Sequence, residues 1–155
     1  MTQGAQFSTD RLYRYALWRT WQEGEGHTMF IGLNPSTADE TVDDPTIRRC
    51  IGFAHSMGYG GIYMLNLCAF RSTDPRGLKR VADPIGPDNL RYIEMYAKTA
   101  GKVIAAWGNH GWSRSRDTMR LIRSLGVEVW CFGRTKTGCP KHPLYLRADT
   151  ELQPL

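Results

Sequence analysis

The sequence predicts an α/β protein of three layers, α/β/α, around a mostly parallel four-stranded central sheet with an antiparallel strand at its N-terminal edge. Three observations predict it. Short apolar runs at 29–33, 62–67, 102–107 and 127–132 have the length and flanking Gly or Pro of buried strands. Segments with apolar residues at helical spacing lie between them, and such alternation gives parallel strands covered by helices. Each run also leads into polar residues, which a parallel sheet gathers along one edge.

Taken in order, residues 1–10 are polar and are expected to fray. From Arg11 to Trp21 the chain alternates, with Tyr13, Tyr15, Leu17, Arg19 and Trp21 on one parity. Its charges predict an edge strand, and Glu23-Gly-Glu-Gly26 predicts an antiparallel pairing with Met29–Leu33. Asp43-Asp44-Pro45 reads as a helix start, an acidic cap followed by Pro at the first helical position. Ile47, Cys50, Ile51, Ala54 and Met57 then recur on one helical face until Gly58-Tyr-Gly-Gly61 ends it. The connection from Ser72 to Asp88 contains Asp74-Pro75, Asp83-Pro84 and Gly86-Pro87. Its length predicts an ordered flap over the strand ends.

A helix from Pro87 carries Leu90, Ile93, Ala97 and Ala100 inward. Another, from about Ser113 to Leu125, turns Met119, Ile122 and Leu125 inward and Arg114, Arg116, Arg120 and Arg123 outward as a solvated face, with Gly126 as its cap. The segment after the last strand holds Arg134, Lys136, Lys141 and His142 before Leu144-Tyr-Leu146. No internal repeat divides the chain, and residues 1–155 read as a single domain.

Composition narrows the function. Hydrophobic residues make up 41% and charged residues 23%, as in a soluble globular domain. No apolar run approaches the ~18 residues of a membrane span, and no basic-then-apolar leader opens the chain, so a cytoplasmic protein without membrane contact is expected. A net charge of +5 and a pI near 9.2 suit an anionic partner such as DNA or a nucleotide. Cys50, Cys68, Cys131 and Cys139 form no C-x-x-C pair, which argues against zinc and iron–sulfur sites. No metal or cofactor is expected. Neither G-x-x-x-x-G-K, G-x-G-x-x-G after the first core strand, H-E-x-x-H nor G-x-S-x-G is present.

The candidate site begins at Gly32-Leu-Asn-Pro-Ser-Thr-Ala-Asp39. Pro35 stops ladder pairing there, leaving Asn34, Ser36, Thr37 and Asp39 at the strand end. Asn66 closes the second core strand, Trp107, Asn109 and His110 follow the third, and Lys141 and His142 come after the fourth. Amides, a histidine and one or two carboxylates, without metal or covalent intermediate, suit hydrolysis of an N-glycosidic bond. One group holds the attacking water while a neutral histidine or a backbone donor stabilises the departing base. Each residue also has an ordinary reading: Asn34 and Asn66 as turn residues, Asp43 and Asp44 as helix caps, His142 as a loop histidine, Trp107 as core.

Gly32-Leu-Asn-Pro-Ser36, Met64-Leu-Asn66, Ala105-Ala-Trp-Gly108 and Lys141-His-Pro143 resemble, in order, four strand-end motifs of the uracil-DNA glycosylase superfamily. That resemblance implies a uracil-DNA glycosylase-like fold, with Asn34 positioning water, Asn66 reading the base edge and His142 stabilising the oxyanion. Gly32-Leu-Asn-Pro-Ser-Thr-Ala-Asp39, Asp43-Asp-Pro-Thr46, Asp83-Pro-Ile-Gly-Pro87 and Pro140-Lys-His-Pro-Leu-Tyr145 further resemble the bacterial and phage family called domain of unknown function 1643, over about residues 11 to 147. The chain departs from the glycosylase pattern at three points. Asn34 cannot take a proton as Asp does, Leu144 stands where Ser is expected, and the flap from Ser72 has no counterpart.

The expectation is a nucleobase-binding protein of DNA modification or repair. It would hydrolyse an N-glycosidic bond of a modified base in DNA or of a nucleotide, with Asn34, Asp39 and His142 catalytic. Gly32, Pro35, Ser36, Asn66, Arg71, Trp107, Asn109 and Lys141 would bind the substrate. The alternatives are a sensor that binds the base without cutting it and a metal-assisted phosphohydrolase built on Asp39, Asp43, Asp44 and His142. The sequence leaves the oligomeric state open.

Overall fold

The computed structural model describes residues 1–155 apart from the side chain of Trp112. Among the described residues, seven strands form one sheet: β1 Thr2–Phe7, β2 Arg14–Thr20, β3 His27–Gly32, β4 Gly61–Asn66, β5 Lys102–Ala105, β6 Val129–Cys131 and β7 Gln153–Pro154. Their spatial order is β1-β2-β4-β3-β5-β6-β7. The four runs expected as core strands make the parallel centre, β4-β3-β5-β6. β2 joins antiparallel to β4, β1 antiparallel to β2, and β7 antiparallel to β6.

Three α-helices flank the sheet, α1 Pro45–Ser56, α2 Asn89–Ala97 and α3 Arg116–Ser124. Alternation along the central strands decides which helix meets which face. Met29, Ile31, Leu65, Val103 and Ala105 pack with Ile93 and Ala97 of α2 and Met119 and Ile122 of α3. Phe30, Ile62, Met64 and Ile104 pack on the opposite face with Ile47, Cys50, Phe53 and Ala54 of α1. Asp44 starts α1 as expected, accepting the Ile47 N–H at 2.8 Å, with Pro45 at the first position.

Several expectations are corrected. The sheet has seven strands, not five, because residues 1–10 do not fray: Thr2–Phe7 is β1, and β7 closes the far edge. The polar segment pairs because Gly4 lets the Trp18 ring lie against its backbone, where any Cβ would collide. β2 is interior, and its partner is β4 rather than β3, since β3 is already flanked by β4 and β5. The charges that suggested an edge are inside: Arg14 is 2% exposed and Arg19 1%.

Arg19 is the fully matched one. Its Nε meets Asp43 Oδ1 at 2.8 Å, and its other nitrogens donate to the carbonyls of Trp18, Asp39 and Val42. It thereby ties the loop after β3 to β2. The helix expected from Ser113 begins as a 3₁₀ turn, Asn109–Arg114, before α3. Gly111 lies against the Trp107 ring too closely for a side chain, which holds that turn to the strand end. A 3₁₀ turn at Pro75–Arg80 stiffens the flap, and another at Pro143–Tyr145 takes up the last apolar run. Among the described residues, no helix is long and apolar enough to cross a membrane.

Candidate functional site at the carboxyl edge of the sheet

A cavity of about 320 Å3 opens where β3, β4 and β5 end, at the low end of the range for small-molecule sites. Gly32, Asn34, Pro35, Ser36, Asn66, Trp107, Asn109 and His142 all line it. The fold thus brings together eight of the eleven residues assigned catalytic or binding roles from sequence. It does not bring Asp39, Arg71 or Lys141 to the cavity lining. Asp39 accepts the N–H groups of Thr41 and Val42 at 2.9 and 2.8 Å, which makes it the pivot of a turn. The Arg71 guanidinium lies over the Phe7 ring, 4.9 Å from its centre. Lys141 extends along Gly133.

Asn66 ends β4 and is 2% exposed. Its amide oxygen accepts from Arg14 Nη2 at 3.3 Å, which fixes the orientation of the amide and leaves its NH2 without a protein acceptor among the described residues. Its backbone carbonyl is held by Asn89 Nδ2 at 2.8 Å. Gly32 is adjacent, where a Cβ would stand 2.9 Å from Asn66 Nδ2 and 2.8 Å from Met64 Cε. The glycine of the first motif is therefore there to let the Asn66 amide cross it.

Arg14 is the residue that sequence reasoning missed as a cavity group. It lines the cavity, donates from Nη1 to the Ala38 carbonyl at 3.1 Å, and keeps a buried Nε with no partner. Burial pulls its pKa down to about 10, against which the nearby Asp44 carboxylate acts. It remains charged at neutral pH. A period-two strand pattern shows only that an arginine sits on a strand, so no signal in the sequence distinguishes this one.

Asn34 spends its NH2 on the backbone, donating to Pro35 O at 3.0 Å and Ser72 O at 2.8 Å. Ser72 N returns a bond to Pro35 O at 2.9 Å, so Asn34 clasps the root of the flap to the end of β3. Its amide oxygen remains available as an acceptor. His142 is half-buried, and its Nδ1 accepts the Leu144 N–H at 3.1 Å, which puts the proton of the neutral ring on Nε2. Burial lowers its pKa, with Asp44 opposing. Arg49 Nε donates to the Pro143 carbonyl at 3.3 Å and anchors this turn to α1.

Asp44 is the carboxylate that the described residues contribute to the lining. Oδ1 caps α1, and Oδ2 has no partner of its own among the described residues. Trp107 closes the floor at 2% exposure, with Nε1 buried and unpaired. Asn109 is turned to the loop beyond, accepting from Thr135 and Thr137 hydroxyls at 2.6 and 2.9 Å. Among the described residues, no group of three His, Cys, Asp or Glu side chains lies close enough to hold a metal ion.

A family model described as protein of unknown function (DUF1643) matches residues 14–144. The chain belongs to that family. Comparison with curated proteins and with solved structures gave no match. In this DUF1643 protein the matched span begins at Arg14 and ends just beyond His142, so it takes in every group of the cavity. The donors there are the Asn66 amide, the His142 ring and the Arg14 guanidinium. The acceptors are Asp44 and the Asn34 oxygen. Such a set can hold a small polar ring and a water molecule side by side.

Proposed function

We propose that this cavity binds a nucleobase and hydrolyses its N-glycosidic bond, in DNA or in a nucleotide, on a fold of the uracil-DNA glycosylase-like type. One observation carries the reading: Asn34, Asn66 and His142, distant in sequence, share a single cavity with the carboxylate of Asp44. In the reaction, water attacks the anomeric carbon, the C–N bond breaks, and the base departs with the bonding electrons. Asp44 takes the water proton through Oδ2. The Asn34 oxygen orients the same water. Asn66 donates its amide hydrogens to a base oxygen, and neutral His142 donates from Nε2 to the negative charge that grows on the base. Arg14 stands behind Asn66 and keeps that region electropositive.

The test is incubation with DNA strands carrying a panel of modified bases, and with the matching nucleosides. Abasic sites are scored by alkaline cleavage and free base by mass spectrometry. Release of a base that is lost in Asp44→Asn and His142→Ala supports the reading. No release across the panel removes it.

A second reading, a sensor that holds the base uncut, is favoured by the Asn34 amide being spent on Pro35 and Ser72 and by Asp44 serving as a cap. Tight binding of a base with no product after hours would select it.

A further inference from the structure

Two depressions adjoin one another here, and a third follows the second along the chain. The candidate cavity shares Leu33, Pro75 and His110 with a second one of about 470 Å3, which Lys79 and Arg114 also line. Arg114 leads directly through Ser115 into a third, of about 480 Å3, lined by Arg116, Arg120, Arg123 and Arg134 over Met119 and Leu155. Positions 116, 120 and 123 fall on one face of α3, and all three arginines are exposed.

None of these six cations forms an ion pair among the described residues. The acids nearby do not neutralise them. Asp74 is spent on Arg76 at 2.9 Å, and Asp117 lines neither depression. A solvated helical face ordinarily mixes both signs, because like charges at i,i+4 repel. Here Arg116 and Arg120 stand at that spacing unrelieved, and Arg134 is brought from the loop after β6 to the same place.

We infer that this tract is a phosphate track for a DNA strand whose base enters the adjoining cavity. The inference rests on the nucleobase reading and sharpens it, naming a polymer rather than a free nucleotide as the substrate. Charge complementarity and continuity with the cavity argue for it. A nucleotide's own phosphates would be served beside His110, whereas the cations past Arg114, up to Arg134, offer room for further phosphodiesters. Guanidinium groups suit them, because they bind phosphate oxygens in pairs, and a base must leave its stack to enter the cavity.

The experiment is fluorescence anisotropy with a labelled DNA strand of about 20 nucleotides, longer than the site of a small domain, across a salt series. Wild type should lose affinity steeply with salt. The triple variant R116Q/R120Q/R123Q should bind about 10-fold or more weaker near ~0.1 M salt, with a slope shallower by about 2. Its thermal melting should match wild type. Equal affinity and slope in the variant overturn the track, and tighter binding to RNA of the same sequence overturns its assignment to DNA. The nucleobase reading fails separately, by an absence of base binding or release while strand affinity still depends on these arginines.

Discussion

Arg14 Nη2 donates to the amide oxygen of Asn66 across 3.3 Å, joining β2 to the end of β4 inside the candidate cavity. The bond settles which end of the amide faces outward. A guanidinium can only donate, so Asn66 must turn its oxygen to Arg14 and its NH2 elsewhere. The first prediction follows. Lys in place of Arg14 cannot serve both Asn66 and Ala38 from one planar fork. Arg14→Lys should cost about 1–3 kcal/mol of unfolding free energy by leaving a buried acceptor unmatched, measured in urea, and should weaken base binding further than that loss explains.

A companion prediction concerns Gly32. An added methyl would stand within 3 Å of both Asn66 Nδ2 and Met64 Cε, so one of those side chains must move. Gly32→Ala should cost about 1–3 kcal/mol as overpacking. An amide NMR signal of Asn66 that stays at its wild-type position would contradict the crossing of Gly32 by that amide.

Much of this arrangement was legible beforehand, for a physical reason. Strands β3 to β6 are short apolar runs with abrupt polar ends, and abruptness is a local signal. Asn34, Asn66 and His142 could therefore be assigned to one edge without coordinates. β1 was not legible, because an outer strand needs no apolar face and Thr2–Phe7 has almost none. β2 was misjudged at the edge because Arg14 and Arg19 look solvent-facing until their partners are known, and those partners are carbonyls and side chains brought in by the loop after β3. Asp44 was read as a helix cap, which it is. Nothing local could show that it also lines a cavity.

Asp44 allows capping and chemistry to be separated. Asn caps a helix about as well as Asp, so Asp44→Asn should keep the cap, losing only the carboxylate's support of the Arg14 charge, while abolishing base release. Asp44→Ala removes the bond to Ile47 N and should cost about 0.5–2 kcal/mol as well. Equal activity in wild type and Asp44→Asn, read by abasic-site formation, would eliminate Asp44 as the proton acceptor.

The histidines set a pH dependence. Burial holds the pKa of both His27 and His142 below the ordinary 6.5. A histidine depressed in the fold binds its proton more readily in the unfolded chain. Stability contributed this way is present above about 6.5 and is lost as pH falls from there through the folded-state values. Protonation of His142 also removes the acceptor used by Leu144 N. Urea midpoints should decline below about pH 6.5, and less so in His142→Gln. An NMR titration that puts His142 above 6.5 would contradict the burial that the cavity imposes.

Asn34 offers the sharpest contrast between motif and geometry. Judged by the glycosylase motif, Asn34→Asp should improve the site by supplying a carboxylate to activate water. The local contacts say otherwise. The group now occupied by NH2 faces two carbonyl oxygens, Pro35 O at 3.0 Å and Ser72 O at 2.8 Å, and a carboxylate there would set oxygen against oxygen. The substitution should cost about 1–3 kcal/mol and loosen the flap rather than raise activity. Hydrogen exchange over residues 72–88 should accelerate in Asn34→Asp, and lowering the pH to protonate the new carboxyl should restore part of the protection, since its O–H can donate to one of the two carbonyls. Protection that stays at the wild-type level at neutral pH would mean that the clasp between Asn34 and Ser72 does not hold the flap.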